Sequence, residues 1–158
     1  MAREASRILV VAHRTARDPS LVDAVTQRAS ESPAEFTLLV PAVAHGFHRI
    51  VDPEDHCCDE AMAALDAAIP VLSEAAGSPI TGLIGSHDPF AAVWDALNAG
   101  GHDEVIVSTQ PSRISRWLHI DLPHRIAALG VPVTHVTHVT AGGERAAIVA
   151  PVPLRAAA

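Results

Sequence analysis

The residues best suited to bind a ligand follow a short β-branched run, Val105 to Val107, in the second half of the chain. The polar set after this run consists of Ser108, Thr109, Gln110, Ser112, Arg113 and Arg116. Hydroxyl and amide groups hydrogen-bond ligands, and arginine binds a phosphate or carboxylate through two parallel hydrogen bonds. The segment therefore predicts a site for a small anionic ligand. The alternative is that the arginines form ion pairs with acidic residues of the same chain or of a partner chain.

A second group of residues could hold a metal ion. The candidate ligands are His45, His48, His56, Cys57 and Cys58. Zinc accepts these ligand types, but the two cysteines are adjacent, so one loop can hardly present both to one ion. His135 and His138 are three apart near a predicted strand end, and positions three apart in a strand point to opposite faces. We therefore predict no metal site.

Composition limits the kinds of partner. The chain has 158 residues, 49% of them hydrophobic, and a net charge of −7. This length suits one domain with a full core, and the acidic balance disfavours a nucleic acid or an anionic membrane surface as partner. Against that background Arg113, Arg116 and Arg125, with His119 and His124, form a local positive patch.

The ends of the chain and its cysteines bear on its location. No apolar run approaches the roughly 18 residues that a membrane span needs, and Met1 to Arg7 is too polar for a signal peptide. Cys57 and Cys58 bridge each other only with strain because they are neighbours. We therefore predict a cytoplasmic protein without a disulfide framework.

Apolar runs of strand length alternate with amphipathic segments along the chain. The predicted strands are Ile8 to Ala12, Phe36 to Val40, Ile80 to Ile84, Val105 to Val107 and Val131 to His135. The predicted helices begin at Asp18-Pro19, at Asp59, at Asp88-Pro89 and at Asp121. Short connections between alternating strands and helices predict an α/β fold, with a parallel sheet covered by helices on both faces. Residues 1–140 form this domain, and residues 141–158 are either an added edge strand or disordered.

The order of these segments resembles the universal stress protein family over roughly residues 6 to 137. The resemblance rests on the first two strands, on Gly85 before the Asp88-Pro89 helix start, on the Ser/Thr loop after Val107, and on the Val131-Pro132-Val133 closing strand. It implies a Rossmann-like, five-stranded parallel sheet in the order 3-2-1-4-5, of the adenine nucleotide alpha hydrolase-like kind. It also implies a role in stress response, homodimers formed through the last strand and, in one branch, ATP binding.

The chain departs from the pattern of the ATP-binding branch. Those members carry an Asp after the first strand and a Gly-x2-Gly-x9-Gly-(Ser/Thr) loop after the fourth. Here the Asp position holds His13, and the glycine positions hold Ser108, Pro111 and Asp121. Glycine lets the backbone approach a phosphate and turn its N–H groups toward it, whereas proline has no N–H to donate. The sequence therefore predicts a degenerate nucleotide loop that does not bind ATP in the usual manner of that family.

The carboxyl ends of the first, second and fourth strands define the predicted pocket, because ligands of open parallel sheets bind there. Ala12 and His13 form one wall, and Val40, Pro41 and Ala42 form another. The polar set from Ser108 to Arg116 supplies the remaining contacts. The resemblance suggests ATP or another adenine nucleotide as the cofactor.

We predict no catalytic residues. His13 and Ser108 would follow adjacent strands, but a Ser–His pair needs an orienting acid, and no Gly-x-Ser-x-Gly sequence occurs. The predicted function is that of a homodimeric, non-catalytic stress-response or regulatory protein that binds a small ligand. Two alternatives stay open: a nucleotide-binding protein with weak ATP hydrolysis, and a homodimeric interaction module with no ligand.

Overall fold

The computed structural model describes residues 4–42, 53–110, 116–141 and 144–152, without the side chains of residues 53–57, 116–121, 138–141 and 144–149. The strands are β1 (Ser6–Val11), β2 (Ala34–Pro41), β3 (Thr81–Gly85), β4 (Glu104–Thr109), β5 (Val133–Ala141) and β6 (Glu144–Val152). The helices are α1 (Pro19–Glu31), α2 (Pro53–Ala76), α3 (Pro89–Gly100) and α4 (Arg116–Ala127). The alternation of strands and helices predicted from the sequence is confirmed.

The strands form one sheet in the order β3-β2-β1-β4-β5-β6. The first five are parallel, and β6 runs antiparallel to β5, with Val136 opposite Val149. The predicted order 3-2-1-4-5 is confirmed, but the sheet described here has six strands rather than five. Of the two alternatives for the tail, residues Glu144–Val152 have the added edge strand.

Helices cover both faces of the sheet, and each face has its own core. Ile8 and Val10 face α1 and α2, whereas Leu9 and Val11 face α3 and α4. Neighbouring residues of a central strand are thus buried on opposite sides, which explains the continuous apolar runs in the sequence.

Two helices begin earlier than the sequence pattern indicated. Helix α2 starts at Pro53 rather than near Asp59, so the six residues before Asp59 are helical and not irregular. Asp52-Pro53 has the same Asp-Pro start signal as α1 and α3. Helix α4 starts at Arg116 rather than at Asp121 and contains Pro123 in its interior.

Helix α3 shows how well its ends are encoded. Asp88 caps it, since one carboxylate oxygen accepts the N–H of Phe90 at 2.9 Å. Gly101 ends it with a φ of 59°, a left-handed conformation that glycine adopts without strain. In the described part of the chain, no helix is both long and apolar enough to cross a membrane.

Candidate functional site

The strand order brings three of the predicted segments together at the carboxyl edge of the sheet, which we define as the ends of β1, β2 and β4. Val11 pairs with Leu39 on one side and with Val107 on the other. The N–H of Ala12 donates to the carbonyl oxygen of Leu39 at 3.2 Å. Residues that follow Val11, Leu39 and Val107 therefore lie side by side, as parallel pairing requires.

One side of this edge is apolar. Ala12, Val40 and Ala42 are buried in the core beneath α1 and α2. The N–H of Ala42 donates to the carbonyl oxygen of Gly85 at 3.2 Å, and Pro41 pairs with Gly85 in the sheet. The structure thus places Ala12, Val40, Pro41 and Ala42 at neighbouring strand ends, which are joined by hydrogen bonds between β1, β2 and β3.

Ser108 is the polar residue at the centre of the carboxyl edge. It lies on the α1 face of the sheet, because Glu104, four residues earlier in the same strand, pairs with Arg28 of α1. Its side chain is 94% buried, and among the described residues its hydroxyl has no hydrogen-bond partner. A buried hydroxyl without a partner costs roughly 1–3 kcal/mol. This hydroxyl can therefore hydrogen-bond a ligand at little further desolvation cost.

Thr15, which was not among the predicted site residues, connects the loop after β1 to the end of β4. Its hydroxyl donates to the carbonyl oxygen of Ser108 at 3.1 Å, and both residues are buried. The loop itself is stiffened by turns, in which Ala16 N–H donates to His13 O at 3.2 Å and Asp18 N–H donates to Thr15 O at 3.0 Å. The Thr15 hydrogen bond therefore fixes the loop after β1 against the end of β4.

The loop after β1 also carries His13 and two arginines. Both ring nitrogens of His13 are shielded from solvent. Arg14 and Arg17 are exposed, and neither forms an ion pair or hydrogen bond with another described residue. The sequence carries their signal as two arginines shortly after a buried strand, whereas the predicted cations lie in the segment after β4.

Thr109 points to the opposite face of the sheet from Ser108. Its hydroxyl lies 2.8 Å from Nε2 of His135, and the hydroxyl of Thr137 lies 3.1 Å from the same nitrogen. That nitrogen accepts from both hydroxyls in one tautomer and donates to one of them in the other. From the sequence, His135 was a candidate only for metal binding. The structure instead makes it the hydrogen-bond partner of Thr109, a candidate site residue.

Four of the predicted contacts remain, namely Gln110, Ser112, Arg113 and Arg116. Gln110 is exposed directly after β4. Ser112 and Arg113 lie outside the described residues, and Arg116 is the first residue of α4, its side chain not being described. Arg125, part of the predicted positive patch, has its guanidinium carbon 4.0 Å from the ring centre of Phe90. This cation–π contact holds Arg125 against α3.

Most of the candidate metal ligands have side chains that the structure does not describe. His45 and His48 are not described, and the side chains of His56 and Cys57 are not described either. Cys58 is exposed near the start of α2. Within the described ranges, no group of three or more histidine, cysteine, aspartate or glutamate side chains is placed to hold a metal ion.

The amino-terminal edge of the sheet, formed by the starts of β1, β4 and β5, is held by reciprocal bonds. The N–H of Arg7 donates to a carboxylate oxygen of Asp103 at 2.8 Å, and the N–H of Asp103 returns a bond to Arg7 O at 2.7 Å. The Arg7 guanidinium donates to Gly100 O at 3.0 Å. Burial lowers the pKa of His102 beside this network, and the positive charge of Arg7 lowers it further, against the raising effects of a hydrogen bond to the Ala96 backbone and of Asp103.

Comparison with known proteins rests on structure. No protein-family model matches the chain, and no curated protein sequence matches it. A universal stress protein family member from Burkholderia pseudomallei aligns with a TM-score of 0.61 at 17% identity, over 82% of this chain and 94% of that one.

Two similar structures contain nucleotides. A universal stress protein family protein from Arabidopsis thaliana with AMP bound aligns with a TM-score of 0.52 at 16% identity, over 84% of this chain and 91% of that one. A universal stress protein in complex with cAMP aligns with a TM-score of 0.50 at 14% identity, over 86% of this chain and 98% of that one. At these identities the comparison concerns the fold.

Proposed function

We propose that this chain, which has the fold of the universal stress proteins, is a non-catalytic regulatory protein that binds a small anionic ligand at its carboxyl edge. The observation that carries the proposal is the buried hydroxyl of Ser108, which has no partner among the described residues. It lies where the ends of β1, β2 and β4 meet, and this is the position at which open parallel sheets bind ligands.

The residues around Ser108 favour an anion. Arg14 and Arg17 stand on the loop that Thr15 ties to Ser108, and neither guanidinium is neutralised by a described residue. Because that loop is already fixed to β4, little conformational entropy is lost when the two cations bind a ligand. Adenine nucleotides are the first ligands to test, since two proteins of this fold hold AMP or cAMP.

Any nucleotide would be bound differently here than in a usual glycine-rich loop. No glycine occurs between Gly101 and Gly130 in the sequence, so a nest of backbone N–H groups is replaced by arginine and hydroxyl donors. Arginine holds a phosphate by charge-assisted hydrogen bonds that weaken with salt. The proposed binding is therefore weaker than a glycine nest would give and more sensitive to ionic strength. We also propose that the protein acts as a homodimer in stress response.

Calorimetric titration with ATP and AMP at low salt, with and without Mg²⁺, tests the proposal. We expect a dissociation constant on the order of 10–100 μM, which corresponds to about 5.5–7 kcal/mol. The Arg14→Ser/Arg17→Ser double variant should bind about tenfold more weakly, with a smaller salt dependence. Arg125→Gln, which removes the cation held against Phe90, is the control and should bind normally. Absence of heat up to millimolar nucleotide would overturn the nucleotide form of the proposal and favour an interaction module without a ligand.

The Ser108→Ala variant separates a binding hydroxyl from a structural one. Because the hydroxyl is unpaired in the described structure, its removal should raise the free energy of unfolding of the ligand-free protein by about 0.5–1 kcal/mol. The same variant should weaken ligand binding about fivefold, by the loss of one hydrogen bond. Urea denaturation and calorimetry measure the two effects. Ser30→Ala, at an exposed site on α1, should change neither, and a destabilised Ser108→Ala protein would contradict the assignment.

A further inference from the structure

A cleft of about 510 Å³ lies at the amino-terminal edge, between the second half of α1 and the starts of β4 and β5. Its lining residues from α1 and the turn after it are Ala24, Gln27, Arg28, Glu31 and Ser32. The sheet contributes Glu104, Ile106, Pro132, Thr134 and Pro151. The volume falls within the roughly 300–1,000 Å³ that small-molecule sites occupy. The cleft shares none of these residues with the carboxyl edge.

The charged wall of the cleft has an excess of one carboxylate. The Nε of Arg28 donates to Glu104 at 2.9 Å, and the same guanidinium donates to the Ser32 hydroxyl at 2.9 Å. Only 16% of the Arg28 side chain and 20% of the Glu104 side chain are exposed. The charge of Arg28 is therefore already matched, whereas Glu31 is exposed and has no partner among the described residues.

The floor of the cleft is apolar and poor in hydrogen-bond donors. Ile106 and Ala24 are buried core residues whose side chains reach the cleft. Pro132 and Pro151 lack an N–H, so their backbone cannot donate to a ligand. The carbonyl oxygen of Pro132 is itself occupied, because the N–H of Val105 donates to it at 2.9 Å. The floor of the cleft therefore suits the apolar part of a ligand.

We propose that this cleft binds a small organic cation, namely an ammonium or guanidinium group attached to a compact apolar body. The cationic group binds the unpaired carboxylate of Glu31, and the apolar body covers Ile106 and the two prolines. An anion is disfavoured because Arg28, the cation among the described lining residues, is bonded to Glu104 and Ser32. This site is separate from the carboxyl edge and does not depend on the function proposed there.

Three probes of the same size and different charge test the class of ligand. The probes are benzylammonium, benzyl alcohol and benzoate, each added to the isotope-labelled full chain while amide NMR shifts are recorded. Benzylammonium should shift the amides of residues 24–32 and of Glu104 in a saturable way. It should bind about three- to tenfold more tightly than benzyl alcohol, and benzoate should not bind. Equal binding of the alcohol and the ammonium would overturn the charge argument, and shifts elsewhere would overturn the location.

Substitution of the unpaired acid provides the second arm of the test. Glu31→Gln keeps the size of the side chain and should weaken benzylammonium about three- to fivefold, as expected for one partly solvated charge. Glu35→Gln is the matched control, since Glu35 is also exposed, lies at the start of β2 and does not line the cleft. Unchanged affinity in Glu31→Gln, or an equal loss in both variants, would overturn the proposal. A cleft covered by a second copy of the chain would leave all three probes without effect and would also overturn it.

Discussion

The two edges of the sheet treat their polar groups differently. At the amino-terminal edge, Arg7 is bonded to Asp103 and Gly100, and Arg28 is bonded to Glu104 and Ser32. At the carboxyl edge, the Ser108 hydroxyl has no partner among the described residues, and Arg14 and Arg17 have none there either. Arg7 and Arg28, where strands begin, are thus paired, whereas Ser108, Arg14 and Arg17, where strands end, have donors without a partner among the described residues. The comparison indicates that the paired residues of the first edge contribute stability, whereas the unpaired donors of the second are available to a ligand.

The largest expected effect tests how closely α3 packs against the end of β3, next to the carboxyl edge. At the end of β3, a Cβ added to Gly85 would lie 2.4 Å from the Cβ of Ala92 and 3.3 Å from its Cα. Helix α3 would have to move away from the sheet, so Gly85→Ala should destabilise by about 2–4 kcal/mol through overpacking. Chemical denaturation measures the loss. Gly82→Ala, whose new Cβ meets the flexible ends of Leu65 and Ile69, should cost less, and equal costs would show that the α3 contact is not close.

The next effect tests the stabilising role of the amino-terminal edge. Arg28→Met leaves the largely buried carboxylate of Glu104 without its partner, which should cost about 1–3 kcal/mol. The double variant Arg28→Met/Glu104→Met removes both charges and should recover most of this loss, because no unpaired charge remains. Urea denaturation of the two variants measures the difference. A double variant as unstable as the single one would show that packing, rather than the ion pair, carries the contribution of Arg28.

The smallest effect is a dependence of stability on pH at the amino-terminal edge. Burial lowers the pKa of His102 in the folded chain below the ordinary value of about 6.5. The unfolded chain therefore binds this proton more readily, so the contribution of neutral His102 is fully present above about pH 6.5 and is lost as the pH falls toward the folded pKa. Unfolding free energies at pH 7.5 and pH 5.5 should differ more in the natural protein than in His102→Gln. An equal difference in both proteins would show that His102 does not cause the pH dependence of stability.

The fold followed from the sequence because apolar runs and Asp-Pro helix starts are local signals. One error arose where packing overrode a local rule. Helix α4 continues through Pro123, since Leu122 and Ile126 pack into the core beneath α3 and α4, and this outweighs the usual cost of an interior proline. The added edge strand stayed one of two alternatives, although Gly142-Gly143 stands between two segments of strand length and is typical of a hairpin turn.

The candidate site was less predictable than the fold, because its contacts depend on register and on loop conformation. The strand order placed Ala12, Val40 and Ser108 at one edge, as expected from the sequence. The pairing of Thr109 with His135 requires the register of β4 against β5, in which Val107 lies opposite His135. The Thr15 contact requires the conformation of a turn, and no periodicity in the sequence encodes it.

The hydrogen bond from Thr15 to Ser108 joins residues 93 positions apart, and this separation determines when the carboxyl edge can form during folding. Strands β1, β2 and β3 and the helices between them can associate early, since their contacts are closer in sequence. The pairing of Ile8 with Glu104 must close a loop of nearly the same length as the Thr15 contact, and such closure costs entropy that slows folding. We therefore expect the candidate binding site to be one of the last parts of the molecule to assemble, so that ligand binding would report completion of the sheet.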